Sequence, residues 1–459
     1  MAKIIIIGAG LSGLSTAYHL EKKGFTDYLI VEKDQHVGGL CRSFKQDGFT
    51  FDITGHLLHA SDPYFSSFLE SLVGDHVQNV HRNSCIFSHN MFTPYPYQIN
   101  LSGLPTKTIV DCIEGFINRK SSIRQPKLFV DWVSKFFGQG FAKNFFVPYQ
   151  RKLLQISPKK LSSSWVGRFV PQTSLRQLLV GALEQRDEKI GYNASFLYPR
   201  SGGINVMIEQ LHKTINKPIV TRCGVTTIDL QNRVVCFDNG NIESFDIIVN
   251  TMPLDNLLKI INDTSSTNFT RAAQKLLCTS VACLNLGVSR LIGDKKHWIY
   301  YPEKQYPFYR AGFYHNFAKS NAPKDCSSLY VECAYRDKSE RAVQTKLTAA
   351  RKDIKKLFGL ADKDIATEQI LHIKHAYVIY DLWRDRNLQK LLDRLQQEGI
   401  YSIGRYGSWM YSSMQEAVLD GKRVAEKIVV LPARRATRVE KKNQKKVPTQ
   451  EKSVTAREL

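Results

Sequence analysis

Apolar and polar positions follow two different periods along this chain, and the points where the period changes predict its elements. Ile4–Ile7 and Tyr28–Val31 are short apolar runs of the kind that fill a strand buried on both faces. A helix opens near Leu11 between them. From about residue 60 to 190 the spacing is mostly helical, with amphipathic runs over 107–118 and 127–137. Residues 219–237 alternate and, turned by Asp238-Asn239-Gly240, read as a hairpin, and 246–251 read as a strand returning to the first unit. Four segments dense in aromatics follow between about 278 and 335 (CTSVACLNLGVS, HWIYYP, PFYRAGFYHN and SLYVECAYR), the pattern of antiparallel strands facing a ligand. A last strand over 399–403 leads into Gly404-Arg405-Tyr406-Gly407 and a helix over about 413–428.

The first turn carries chemistry. Gly8, Gly10 and Gly13 keep the G-x-G-x-x-G spacing between a strand and a helix. The first glycine permits the tight turn, the second lets backbone approach a pyrophosphate, and the third lets the helix pack on the strand, whose partner helix aims its N-terminal N–H groups at the phosphates. Glu32, at the end of the second strand, is positioned to accept the hydroxyls of an adenosine ribose. A second glycine pair, Gly38-Gly39, follows directly, and backbone passing close to a second, larger ring system suits FAD better than a nicotinamide. The glycines before the last helix make another anion site.

Composition narrows the field. With 459 residues the chain exceeds one compact core, and 43% hydrophobic with 11% aromatic residues is a globular balance. No apolar stretch approaches the roughly 18 to 20 residues that cross a bilayer, which predicts a soluble, cytoplasmic protein. Nine cysteines without a C-x-x-C pair read as reduced thiols, with neither zinc nor a disulfide framework indicated. The net charge of +22 is compatible with nucleic acid, a membrane surface or an anionic small molecule. Part of it sits in a polar, basic stretch after Leu431, read as a disordered tail over 431–459; no stacking or helix-turn-helix pattern points to nucleic acid.

These readings assemble into an α/β chain: a Rossmann-like FAD-binding domain with an inserted helical domain and an antiparallel β-sheet substrate domain. The expected boundaries are 1–60, 192–275 and 398–430 for the discontinuous FAD-binding domain, 61–191 for the mainly helical domain and 276–397 for the substrate domain.

Several motifs then occur in one order: GGLCRSF, Gly55-His56, Pro94-Tyr95-Pro96-Tyr97-Gln98, Phe146-Val147-Pro148-Tyr149, Asn193-Ala194-Ser195-Phe196, Trp298-Ile299-Tyr300, Pro307-Phe308-Tyr309-Arg310 and Gly404-Arg405-Tyr406-Gly407-Ser408-Trp409. Over roughly residues 3 to 430 the chain resembles the UDP-galactopyranose mutase family, eukaryotic type, within the wider amine oxidase and protoporphyrinogen oxidase group. The resemblance implies interconversion of UDP-galactopyranose and UDP-galactofuranose, or a close nucleotide sugar, through attack of N5 of reduced FAD on the anomeric carbon. It also implies non-covalent FAD, with NAD(P)H as reductant. The alternative is an FAD-dependent oxidoreductase of the amine oxidase or protoporphyrinogen oxidase group.

The resemblance carries roles to particular positions. His56 matches the histidine beside the flavin, and Arg310 and Arg168 match the arginines on the substrate diphosphate, a task for a bidentate guanidinium. Gln98, Asn193, Trp298, Tyr300, Tyr377 and Tyr411 match residues of the sugar-nucleotide pocket. Gly8, Gly10, Gly13, Glu32, Gly38, Gly39, Val225, Gly404 and Arg405 are the expected FAD contacts. Two departures lead to further expectations. Thr54 replaces a glycine before Gly55-His56, and a β-branched residue there is expected to refuse positive φ. Phe317 replaces a diphosphate-binding tyrosine, which removes one hydroxyl donor.

Overall fold

The computed structural model describes residues 3–122, 124–184, 194–262 and 269–430. The expected basic tail and Asn193 lie outside the described residues. Ile4–Ile7 is the central strand of a five-stranded parallel sheet, with Ile247–Asn250 and then Ile400–Ser402 on one side, and Tyr28–Val31 and then Ile219–Val220 on the other. All four isoleucines are buried because each face meets a different core: Ile4 and Ile6 join one cluster, Ile5 and Ile7 the other. The helix Leu11–Lys22 lies against Met414–Val429, and Ser15 Oγ donates to the Val418 carbonyl at 2.7 Å. The first and last thirds of the chain therefore build one unit.

A seven-stranded sheet forms the second layer, in the order 365–378, 278–288, 327–335, 310–313, 298–300, 84–88, 91–94. All four aromatic-rich segments are strands of it. Its last two strands come from the stretch expected to be mostly helical. That stretch does hold Thr106–Ile117, Phe129–Phe136 and Val147–Leu154, but it also holds the hairpin of Ser84–Ser88 and Met91–Pro94. Ser84–Ser88 is buried throughout, so no polar alternation marks it, and its turn uses His89 and Asn90 at φ of 52° and 59°.

The reading of 219–237 needs a second correction. Ile219–Val220 joins the parallel sheet, while Val225–Asp229 pairs with Val234–Phe237 through a turn at 230–233; the Asp238-Asn239-Gly240 turn instead joins that strand to Ile242–Ser244. The overlooked turn is made by Asp229, whose Oδ1 accepts from the N–H groups of Gln231 and Asn232, both at 2.9 Å. All nine cysteines are free. Among the described residues no helix is long and apolar enough to cross a membrane.

Candidate functional site

A cavity of about 930 Å³ opens where the C-terminal ends of the parallel strands meet the second sheet. The glycine turn forms its floor. A Cβ at Gly13 would lie 1.9 Å from the Gly8 carbonyl oxygen, so the helix approaches the strand as closely as backbone allows. Gly10 forms a parallel bridge with Gly38, and both line the cavity with Gly8 and Gly39. Glu32, 7% exposed, accepts from the N–H of Ala9 at 2.8 Å and of Asp34 at 3.0 Å, which holds its carboxylate at the cavity edge with lone pairs left for hydroxyl donors. Val225 lines the same cavity. Gly404 has φ of 76°, and a Cβ there would meet Ser12 Oγ at 2.4 Å, so the Gly404–Arg405 turn abuts the first turn of the helix Leu11–Lys22. A dinucleotide fits this glycine cradle.

Cationic and phenolic groups line the other end. Arg310 and Glu332 are directly opposite on neighbouring antiparallel strands, and Nε and one terminal nitrogen of Arg310 donate to the two carboxylate oxygens at 2.7 Å each. Glu332 is fully buried, whereas Arg310 keeps a partly open face on the cavity. Arg405 differs. Its terminal nitrogens reach the carbonyls of Ser412 and Ala376, its Nε has no partner, and among the described residues no carboxylate lies within ion-pair range. Tyr377 and Tyr411 lie with their ring centroids 5.7 Å from its guanidinium carbon, and Tyr309 Oη donates to Tyr377 Oη at 3.5 Å. A desolvated guanidinium without a counter-ion is a strong call for an anionic ligand.

His56 lines the same cavity, with Nδ1 buried and unpartnered. Burial first, then the Arg405 and Arg310 cations, push its imidazole down to about 4, so it is neutral at physiological pH. The expectation for Thr54 fails: its φ is 65°. Its neighbours dictate this, because Gly55 is pressed so close to Tyr330 that a Cβ would lie 2.5 Å from the phenolic oxygen. On the preceding side Asp52 is locked by Ser43 Oγ, Tyr198 Oη and the Ile204 N–H. The loop overrides the side chain's preference.

Other expected residues are distributed unevenly. Arg168 falls in the short helix Val166–Phe169; its side chain lies outside the described residues, but Trp165 and Phe169 on either side line the cavity. Trp298, Tyr300 and Gln98 are not among the lining residues. Trp298 packs with Phe196 and Phe317, Tyr300 sits between Tyr95 and Tyr149, and Gln98 donates to the Pro171 carbonyl. Phe317 is also away from the cavity, stacked near Tyr198, so its lost hydroxyl removes no donor from the lining; Tyr309 and Tyr377 supply phenols there instead. Glu332, Tyr309 and Gln150 escaped the sequence reading. For Glu332 a signal existed: a lone carboxylate within the apolar run SLYVECAYR demands a buried partner.

Residues 11–429 match the family model described as flavin containing amine oxidoreductase. The solved structure of reduced UDP-galactopyranose mutase superposes with a TM-score of 0.87 at 26% identity, covering 95% of this chain and 97% of that one. A putative protoporphyrinogen oxidase from an Exiguobacterium species gives 0.73 at 16% identity over 94% and 99%. Among curated relatives, the probable flavin-containing monoamine oxidase A of Dictyostelium discoideum is 23% identical over 275 residues, which are 54% of this chain and 57% of that protein. The 4,4'-diapophytoene desaturase of Staphylococcus haemolyticus is 43% identical over 68 residues, or 15% and 13%. The chain thus matches only about half, or less, of the length of these curated relatives.

Proposed function

We propose that this chain, which belongs to the family of flavin-containing amine oxidoreductases, interconverts the pyranose and furanose forms of UDP-galactose or a close nucleotide sugar. The observation carrying this reading is Arg310, held in place by Glu332 and facing, with the phenols of Tyr377 and Tyr411, the aromatic cavity that also contains the glycine cradle. A diphosphate can accept from the free Arg310 donors and from both phenols, whereas a protonated amine has no lone pair with which to accept from the guanidinium. The likeness to reduced UDP-galactopyranose mutase over nearly the whole chain points the same way.

In this reading Gly8, Gly10, Gly38, Gly39, Glu32, Val225, Gly404 and Arg405 hold FAD, and the reduced flavin supplies a nucleophilic N5 for the anomeric carbon. Arg310 grips the departing diphosphate with the donors that Glu332 leaves free, and Glu332 keeps the fork at one angle. Tyr377 and Tyr411 donate hydroxyl hydrogen bonds to the same oxygens, and Arg168 is assigned to the same diphosphate. Neutral His56 accepts or donates one hydrogen bond beside the ring without adding charge. NAD(P)H serves as reductant.

The test is anaerobic. Protein reduced with dithionite under nitrogen and mixed with UDP-galactofuranose should yield UDP-galactopyranose, read by chromatography. Inactivity of the reduced protein, together with oxygen uptake when the oxidised protein meets a primary amine, would replace the mutase with an oxidase.

A further inference from the structure

We infer that Arg384, which is not among the residues lining the cavity, is a positioning residue that sets the geometry of Tyr411 and Arg405 through the carbonyl of Trp409. Arg384 lies in the first turn of the helix Leu382–Gln397 and is 8% exposed. Its Nε and one terminal nitrogen both donate to Trp409 O, at 2.9 and 2.7 Å, and its guanidinium lies 3.6 Å from the centroid of the Tyr380 ring. Its other terminal nitrogen is 3.3 Å from Asp385. Trp409 is fully buried at φ of 50°, a conformation a residue with a Cβ resists. The guanidinium fork is what holds that turn.

The turn matters for what flanks it. The Met410 N–H donates to the Arg405 carbonyl at 2.9 Å, and Arg405 in turn donates to the Ser412 carbonyl at 2.9 Å, which closes 405–412 into a loop. The Tyr411 N–H donates to Tyr380 Oη at 2.9 Å, and the two rings stack with centroids 5.0 Å apart. Arg384 therefore grips both supports of Tyr411: the carbonyl two residues before it and the ring beneath it. A lysine offers a point charge and no flat fork, so it cannot stack on the ring and hold the carbonyl through two parallel donors at once. Burying a charge here is costly, and an apolar side chain would pack the helix as well; the geometry of the cavity wall is what the charge secures.

The probe is UDP, and it rests on the diphosphate reading of the site. In the FAD-loaded protein, Arg384→Lys should weaken UDP binding about ten-fold, and in a Tyr411→Ala background the same change should do about nothing, as contacts in series require. Tyr380→Phe, which removes only the hydroxyl under Tyr411, should shift affinity in the same direction and serves where Arg384→Lys does not fold. Wild-type UDP affinity in both variants, or equal losses in both backgrounds, overturns the inference. Failure of the unaltered protein to bind UDP defeats the mutase reading instead. The cycle is then read on FAD release with Arg405→Ala as the background, where additive losses overturn the positioning role.

Discussion

Arg310 and Glu332 are register partners on adjacent antiparallel strands, joined by two 2.7 Å hydrogen bonds, with the carboxylate wholly buried and the guanidinium at the cavity wall. A fixed fork suits an anion better than a mobile cation, because its orientation is set before the ligand arrives.

Arg310→Ala strands that carboxylate in the sheet. It should cost about 3–5 kcal/mol of stability, read by urea unfolding, and abolish UDP binding by the holoprotein. The double variant Arg310→Met with Glu332→Leu should recover most of the stability while binding stays lost. Recovery of binding in it would dissociate the guanidinium from the nucleotide.

Two buried groups oppose each other in acid. Burial pushes Asp52 up to about 6 despite donors from Ser43, Ile204 and Tyr198, so its contribution is complete below 3.8 and disappears as pH rises through 6. His56, lowered to about 4, runs the other way: the unfolded chain takes up its proton between 6.5 and 4, so stability rises with pH across that window. Each contributes about 3 kcal/mol. Relative to the wild type, Asp52→Asn should steepen the gain from pH 4 to 6, and His56→Gln should flatten or invert it, both followed by thermal unfolding at a series of pH values.

Thr54→Gly relieves a left-handed conformation that a β-branched residue resists. A gain of about 1 kcal/mol is expected, net of the extra freedom glycine has when unfolded. Gly55→Ala should lose stability, since its Cβ collides with Tyr330. An unchanged midpoint for Thr54→Gly would mean that the turn is unstrained.

Gly13→Ala pushes a methyl into the Gly8 carbonyl. The helix must withdraw from the strand, and the protein should purify without yellow colour; full flavin content, measured by absorbance, would contradict the cradle described above.

Much of this was legible before the fold was known, because local rules governed it. The strands Ile4–Ile7 and Tyr28–Val31 and the glycines between them obey short-range geometry, and the fold follows them residue by residue. Arg310 was visible through its motif and Glu332 stood out as a lone carboxylate in an apolar run, but their pairing was not legible, because it depends on strand register across 22 positions. The hairpin at 84–94 was hidden by burial on both faces, and the positive φ of Thr54 by a neighbour, Tyr330, that lies far along the chain. Long-range packing decided these misses, whereas the turn at 230–233 rests on a local signal, the Asp229 carboxylate on the next N–H groups.

The parallel sheet also dictates a timetable. Its central strand is made about 240 residues before its neighbour Ile247–Asn250, and about 410 before the covering helix Met414–Val429. Until they arrive that isoleucine run keeps an unsheltered, adhesive edge, the liability of a sheet whose pairing is distant along the chain rather than local.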